Sequence, residues 1–152
     1  MTQEDKELLL TDLCARLPYG VIVDYKEHEH DIRHWKIDSL HTPTYSESGI
    51  LIDTDYEGWI NFTEYKGCGM STGSRPLRLG KMLPYLRPMS SMTEEEEAEY
   101  SCISAHKDNI PTVNYLPISD YMTVDWLNAH HFDYRGLIPK GLALEAPEGM
   151  YK

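Results

Sequence analysis

The sequence predicts an α+β fold: an N-terminal helix, a four-stranded antiparallel meander, two to three short helices and an irregular C-terminal arm. Three observations predict it. Leucines recur at helical spacing near the N-terminus, short segments alternate apolar and polar residues between positions 19 and 64, and a capping signal with a run of Glu opens a second helical segment. A curled, barrel-like arrangement of the four strands is equally compatible with this pattern.

The N-terminal helix has clear start and stop signals. Thr2 as N-cap with Asp5 three residues later is typical of a capping box. Apolar side chains then follow at four-residue spacing, at Leu9, Leu13 and Leu17. Pro18 ends the helix, because the residue before a proline is disfavoured in helical conformation.

Four short segments are typical of strands: residues 20–26, 32–39, 50–52 and 59–63. Thr93 with Glu96 three residues later predicts a second helix that continues to about His106. Residues 109–120 contain two prolines and are expected to be extended. Thr123 is expected to begin a last short helix that ends near His130.

We interpret the 152 residues as one domain, because this length is close to the usual size of a single hydrophobic core. Its expected parts are a helix at 1–17, the meander at 19–64, a basic glycine-rich loop at 65–92, and a helical part with the C-terminal arm at 93–152. Within the loop, residues 77–83 have the composition of a short helix.

Composition excludes several classes of protein. A formal net charge of −11 argues against binding duplex DNA, which needs many Lys and Arg contacts to phosphate. No apolar run approaches the length of a membrane span. The three cysteines have no paired spacing, which favours a reduced, cytosolic protein. A homo-oligomer is compatible with the sequence.

The segment 65–93 contains no Asp or Glu and carries most of the candidate ligand-binding residues. Arg and Lys in a Gly/Ser/Thr-rich loop are suited to binding phosphate, and Tyr and Trp offer stacking surfaces. The candidates are Lys66, Arg75, Arg78, Lys81, Arg87, Tyr85, Trp59 and Tyr65. Two alternatives stay open: a loop whose cations pair with neighbouring acids, and a buried structural role for Arg87.

Signals for a cofactor, a metal or a nucleophile are weaker. His28 and His30 are the metal candidates by residue type, but their spacing matches no closed zinc site, so we expect neither a metal nor another cofactor. Residues 69–73 read G-x-S-x-G, and Cys68 precedes them. The strand and long helix that a nucleophile elbow requires are not predicted around this motif, so we expect no catalytic residue there.

Three stretches carry a resemblance: LTDLCARLPYGV at residues 10–21, PYLRPMSSMTEEE at 84–96 and DWLNAHHFDYRGLIPKGLALEAP at 125–147. Together they resemble a group of small uncharacterised proteins encoded by phages and prophages of gut Bacteroides-type bacteria. The resemblance implies a phage accessory protein, a class that often counters host defence, and it assigns no role to any residue.

These observations support three hypotheses. The first is a non-enzymatic binding protein that sequesters a small phosphorylated or nucleotide-like ligand, such as an immune signal, with cations from the basic segment. The second is an acidic protein-interaction module that binds and inhibits a host or phage protein. The third is a small hydrolase. An enzyme is the least favoured of the three.

Overall fold

The chain folds into one mixed β-sheet with helices, as a computed structural model shows. The structure describes residues 1–28, 31–41, 58–64, 72–105 and 118–151. The elements are α1 (Gln3–Arg16), β1 (Ile22–His28), β2 (Asp31–His41), β3 (Gly58–Glu64), β4 (Thr72–Leu77), β5 (Met82–Leu86), α2 (Glu94–Ala105), α3 (Ile118–Ala129) and β6 (Leu144–Glu145). The α+β class and the N-terminal helix are confirmed. The predicted strand at 50–52 lies outside the described residues.

Within the described residues the sheet has six strands in the order β4-β3-β2-β1-β5-β6. The first five strands pair antiparallel with their neighbours, whereas β6 pairs parallel with β5. The strands β4 and β6 are its edges, so the sheet is open. The predictions of four strands and of a barrel-like closure were therefore wrong.

The two extra strands correct the expected loop at 65–92. Residues 72–77 form β4 and residues 82–86 form β5, and a single turn of 3-10 helix at Leu79–Lys81 replaces the expected short helix. One of the glycines that indicated a loop, Gly73, has a packing role instead. A Cβ on Gly73 would lie 2.7 Å from Cζ of Phe62 on the neighbouring strand, so the absent side chain makes room for that ring.

One face of the sheet, here called the inner face, packs against α1. Cross-strand pairs such as Val23 with Trp35 and Ile37 with Phe62 place these buried side chains on it, and they share one apolar core with Leu9 of α1. The opposite face is here called the outer face. It carries the alternate residues of the same strands, and these are largely polar.

α1 begins as predicted. Thr2 Oγ1 accepts a hydrogen bond from Asp5 N at 3.1 Å, and Asp5 Oδ2 accepts one from Thr2 N at 2.8 Å, which completes the capping box. The helix continues to Arg16, and Pro18 follows in a 3-10 turn at Leu17–Tyr19.

α2 and α3 form a second small apolar cluster around Trp126, Leu127 and Phe132. The predicted capping box of α2 is confirmed, since Thr93 Oγ1 accepts from Glu96 N at 3.2 Å and Glu96 accepts from Thr93 N at 2.9 Å. α3 begins at Ile118, five residues before the expected start. The expectation of extended structure was therefore wrong for residues 118–120, whereas residues 109–117 lie outside the described part of the chain.

The C-terminal arm, residues 130–151, is mainly turns, but buried polar contacts hold it against the sheet. Arg87 N donates to His131 O at 2.8 Å, and Asp133 N donates back to Arg87 O at 2.7 Å. The carboxylate of Asp133 accepts from Leu137 N and Ile138 N, each at 2.8 Å. The arm therefore adds to the sheet rather than extending away from it.

His131 makes the docking of this arm sensitive to pH. Its ring stacks on Tyr151 at 3.7 Å between centroids, and burial lowers the pKa of His131 to about 4, with a further contribution from the positive charge of Arg16. In the unfolded chain a histidine takes up its proton near its ordinary pKa of 6.5. The contribution of neutral His131 to stability is therefore fully present above pH 6.5 and is lost as the pH falls toward 4.

We expect the urea midpoint to fall between pH 7 and pH 5, and we expect His131→Asn to remove this part of the dependence. Asn suits the positive φ of 58° at this position. Between pH 7 and pH 5, the free energy of unfolding should change with pH more steeply in the wild-type protein than in His131→Asn. The two slopes should differ by up to about 1.4 kcal/mol per pH unit. Identical slopes in both proteins would contradict the account of His131.

Candidate functional site

The structure distributes the predicted ligand-binding residues over both faces of the sheet. Arg75 pairs with Ile60 across β4 and β3 and thus lies on the inner-face side of the edge strand, where it is exposed. Trp59 precedes Ile60 and points to the outer face, with 43% of its surface exposed. Arg78 lies between β4 and the 3-10 turn and is half-buried. Tyr65, Lys66, the side chain of His28 and all of His30 lie outside the residues described.

Arg87 makes structural contacts in the fold. Its Nη1 and Nη2 donate to the two carboxylate oxygens of Glu96, each at 2.7 Å, and Nη2 also donates to Ser91 O at 3.1 Å. The guanidinium carbon lies 4.3 Å from the ring centroid of Phe132. Arg87 thus joins the end of β5 to the start of α2 and to the arm.

The same contacts fix the charge of Glu96. Hydrogen bonds from Arg87 lower the pKa of Glu96 to about 2, and the hydrogen bond from Thr93 acts in the same direction. Because the bidentate pair neutralises the guanidinium, Arg87 brings little net positive charge to its surroundings.

Lys81 lies in a different place, a cleft of about 440 Å³. We call it the lysine cleft, and its defining side chains are Lys26, Lys81 and Lys140. Lys26 comes from β1, Lys81 ends the 3-10 turn before β5, and Lys140 lies in the C-terminal arm. The antiparallel pairing of β1 with β5 brings the first two together, and the docked arm brings the third.

The lysine cleft has an excess of positive charge. Asp5 is the one acidic residue among its described lining, against three lysines. Hydrogen bonds from Thr2 hold the pKa of Asp5 below its usual value, and the positive charge of Lys140 lowers it further. The carboxylate of Asp5 is thus already engaged in the helix cap, and it offsets only part of the lysine charge.

Two glycines keep the lysine cleft open. A Cβ built on either Gly80 or Gly141 would meet no atom within 4 Å, and both residues line the cleft. Gly141 has a φ of +70°, a conformation that other residues rarely adopt. Gly80 has no such requirement, so a side chain introduced there would narrow the cleft without strain in the backbone.

A second cleft, of about 510 Å³, lies where α2 begins beside the arm. Its charged lining residues are Arg87, Glu96, Glu145 and Glu148. Since Arg87 and Glu96 pair with each other, the two remaining glutamates give this cleft a negative character. It is here called the acidic cleft.

The outer face also holds a hydrogen-bonded cluster of Ser39, His41 and Asn61. Ser39 Oγ lies 2.9 Å from His41 Nε2, and Asn61 Nδ2 lies 3.0 Å from each of these two atoms. Sequence reasoning missed this cluster, because Asn61 belongs to a different strand and only the strand register brings it beside Ser39.

Sequence reasoning also missed Lys26 and Lys140. They are far apart in the chain, and no local pattern distinguishes either one from a solvated surface lysine. The G-x-S-x-G stretch is largely outside the described part of the chain, as is Cys68. Cys14 and Cys102 are exposed thiols that form no disulfide within the described residues.

Among the residues that the structure describes, no group of three or more His, Cys, Asp or Glu is arranged to hold a metal ion. No described helix has the length and apolar character needed to cross a membrane.

The class of protein that these features define is an open α+β sheet protein with one basic and one acidic cleft. No family model matches the chain, and neither the curated proteins nor the solved structures include a match to it.

Proposed function

We propose that the chain is a binding protein for a small phosphorylated or nucleotide-like anion, and that the anion binds in the lysine cleft without being chemically changed there. One observation carries the proposal: three lysines from three separate segments line one cleft in a chain with a net charge of −11. Like charges held together repel each other, and an anionic ligand removes this repulsion. A cleft lined by charges of one sign also attracts ligands of the opposite sign.

The chemistry of the cleft suits phosphate oxygens. Each lysine ammonium offers three hydrogen-bond donors and no acceptor, and hydrogen bonds between charged groups are stronger than neutral ones. The volume of about 440 Å³ falls within the range of ordinary small-molecule sites. In the phage setting that the sequence resemblance implies, such a protein would sequester a phosphorylated immune signal.

The proposal predicts ligand-dependent thermal stabilisation that requires the lysines. We expect inorganic diphosphate or a mono-, di- or cyclic nucleotide to raise the melting temperature by several degrees, since a hundredfold excess over Kd adds about 2.7 kcal/mol. The triple variant Lys26→Gln, Lys81→Gln, Lys140→Gln should lose this shift. Gly80→Glu should lose it as well, because it places a carboxylate in the cleft.

Lys36→Gln is the matched control, because Lys36 is an exposed lysine of β2 that does not line the cleft. This variant should keep the full shift. A shift that survives in the triple variant would place the anion elsewhere, and the absence of a shift with every anion would contradict the proposed function.

The acidic cleft favours a second candidate, a protein-interaction module. Glu145 and Glu148 lie at one side of this cleft, and the first turn of α2 consists of four consecutive glutamates. Such a surface complements a basic protein. Association of this kind weakens strongly with added salt, so a complex that is insensitive to salt would argue against it.

A further inference from the structure

We propose that Ser39 is a nucleophile activated by His41, so that the outer face has acyl-transfer activity toward small esters. This activity is separate from the lysine cleft. The cleft lies near the β1–β2 hairpin, where Lys26 pairs with Ile32, and Ser39 is seven residues further along β2. At about 3.3 Å per residue, this separation is roughly 23 Å.

A β-bulge brings the cluster together. Ile37 pairs with Phe62, whereas Ser39 pairs with Asn61, so Asp38 is an extra residue in β2 at this point. Without the bulge, Ser39 would share the inner face with Ile37, because residues two apart in a strand point the same way. The bulge turns Ser39 to the outer face, where Asn61 and His41 lie. Bulges that re-aim a side chain in this way are frequent next to active sites.

The three side chains form a triangle of hydrogen bonds. Asn61 Nδ2 donates to Ser39 Oγ at 3.0 Å and also lies 3.0 Å from His41 Nε2, and Ser39 Oγ can donate its own hydrogen to the same nitrogen at 2.9 Å. This order requires the tautomer of His41 that carries its hydrogen on Nδ1. A hydroxyl that donates to a neutral imidazole within this distance has the geometry of an activated nucleophile and its base.

The reaction can then proceed in two balanced steps. Ser39 Oγ attacks the carbonyl carbon of the ester as its proton passes to His41 Nε2. His41 returns that proton to the leaving oxygen, which departs as the alcohol and leaves the acyl group on Ser39. Water then attacks the acyl carbon as it loses a proton to His41. His41 passes that proton to Ser39 Oγ as the acyl–oxygen bond breaks, which releases the carboxylic acid and restores both the serine hydroxyl and the neutral imidazole. The Asn61 amide, beside Ser39 Oγ, is placed to donate to the developing oxyanion.

The neighbouring side chain indicates the class of substrate. Trp59 is the cross-strand partner of His41, and 43% of its surface is exposed. Directly paired side chains on one face of a sheet are in contact range, so the indole offers a flat apolar surface beside the base. Esters with an aromatic group suit this arrangement, since the ring can stack on the indole.

The test is covalent labelling of the full chain by an alkyl fluorophosphonate, read by intact-protein mass, together with hydrolysis of p-nitrophenyl acetate. We expect one label on the wild-type protein, with fluoride lost and a bond formed between Ser39 Oγ and phosphorus. Ser39→Ala should abolish the label. His41→Ala should lower the rate of hydrolysis by about a hundredfold or more.

Ser74→Ala is the matched control. Ser74 is exposed and pairs with Asn61 from the other side, on β4, so it presents a serine hydroxyl on the same face. This variant should label like the wild-type protein. An unlabelled wild-type chain, or equal labelling of Ser39→Ala and wild type, would overturn the proposal. Neither result bears on anion binding in the lysine cleft, which is measured without an ester.

Discussion

Replacing Arg16 by Met is expected to lower the free energy of unfolding by about 3–5 kcal/mol, because the change breaks a buried ion pair and leaves one charge without its partner. Arg16 and Asp12 are both fully buried on α1. Arg16 Nε and Nη2 donate to the two carboxylate oxygens of Asp12 at 2.8 and 3.0 Å.

Arg16 also joins the helix to the C-terminal arm. Its Nη2 donates to Phe132 O at 2.8 Å, a contact between residues 116 positions apart. After the substitution, this carbonyl loses a donor and the carboxylate of Asp12 keeps only Arg135, whose Nε lies 3.3 Å away. Both losses occur inside the protein, where water does not replace the missing hydrogen bonds.

Urea denaturation followed by circular dichroism measures this effect, and Arg135→Met is the matched control. Arg135 pairs with the same carboxylate, but 26% of its side chain is exposed and its distance is longer. We expect Arg135→Met to lower the free energy of unfolding by only about 1 kcal/mol. If Arg16→Met also cost no more than about 1 kcal/mol, the buried pair would not stabilise the fold as argued here.

The second large effect is expected for Trp35→Ala, which should lower the free energy of unfolding by about 3–5 kcal/mol. The indole of Trp35 is 2% exposed and lies between two other rings in the core. Its centroid is 4.2 Å from that of Tyr25 and 3.7 Å from that of Phe62. Truncation removes both stacked contacts and leaves a cavity at the centre of the sheet's inner face.

Trp59→Ala is the matched control for this change, because it removes the same side chain from the outer face of the neighbouring strand. Since Trp59 is 43% exposed, we expect a loss of only about 1 kcal/mol. Thermal or urea unfolding of both variants gives the comparison. If both variants lost the same free energy of unfolding, the two faces of the sheet would contribute equally to stability. That result would contradict a core on the inner face.

The starts of α1 and α2 could be predicted from the sequence because their signals are local. Thr2 with Asp5 and Thr93 with Glu96 satisfy amide groups of their own first turns, so the capping residues reveal each start without knowledge of the fold. The alternation in β1, β2 and β3 was visible for the same reason, since it depends on neighbouring residues only.

The strands β4 and β5 could not be predicted in this way. The segment TGSRPL contains a glycine and a proline, which usually indicate a loop. In the fold, Gly73 accommodates the ring of Phe62, and Pro76 lies in an edge strand, where a missing amide hydrogen is tolerated. The role of Gly73 and the tolerance of Pro76 both depend on the position of β4 in the sheet, which the local sequence does not reveal.

For the candidate site as well, some features were visible in the sequence and others depend on the tertiary structure. A basic segment was visible as a run without acids, and it does contribute Lys81 to the lysine cleft. The pairing of Arg87 with Glu96 depends on how α2 turns back toward β5, and the positions of Lys26 and Lys140 depend on the strand order and the docked arm. Distances of this kind are properties of the tertiary structure.

The most direct test of the central proposal is an amide NMR titration of the full chain with inorganic diphosphate. The account predicts that the largest shift changes occur at Gly80, Lys81 and Gly141, which line the lysine cleft. It also predicts that these changes vanish in the triple lysine variant. Changes centred on Arg75 and Arg78, or no changes at all, would contradict binding in the lysine cleft.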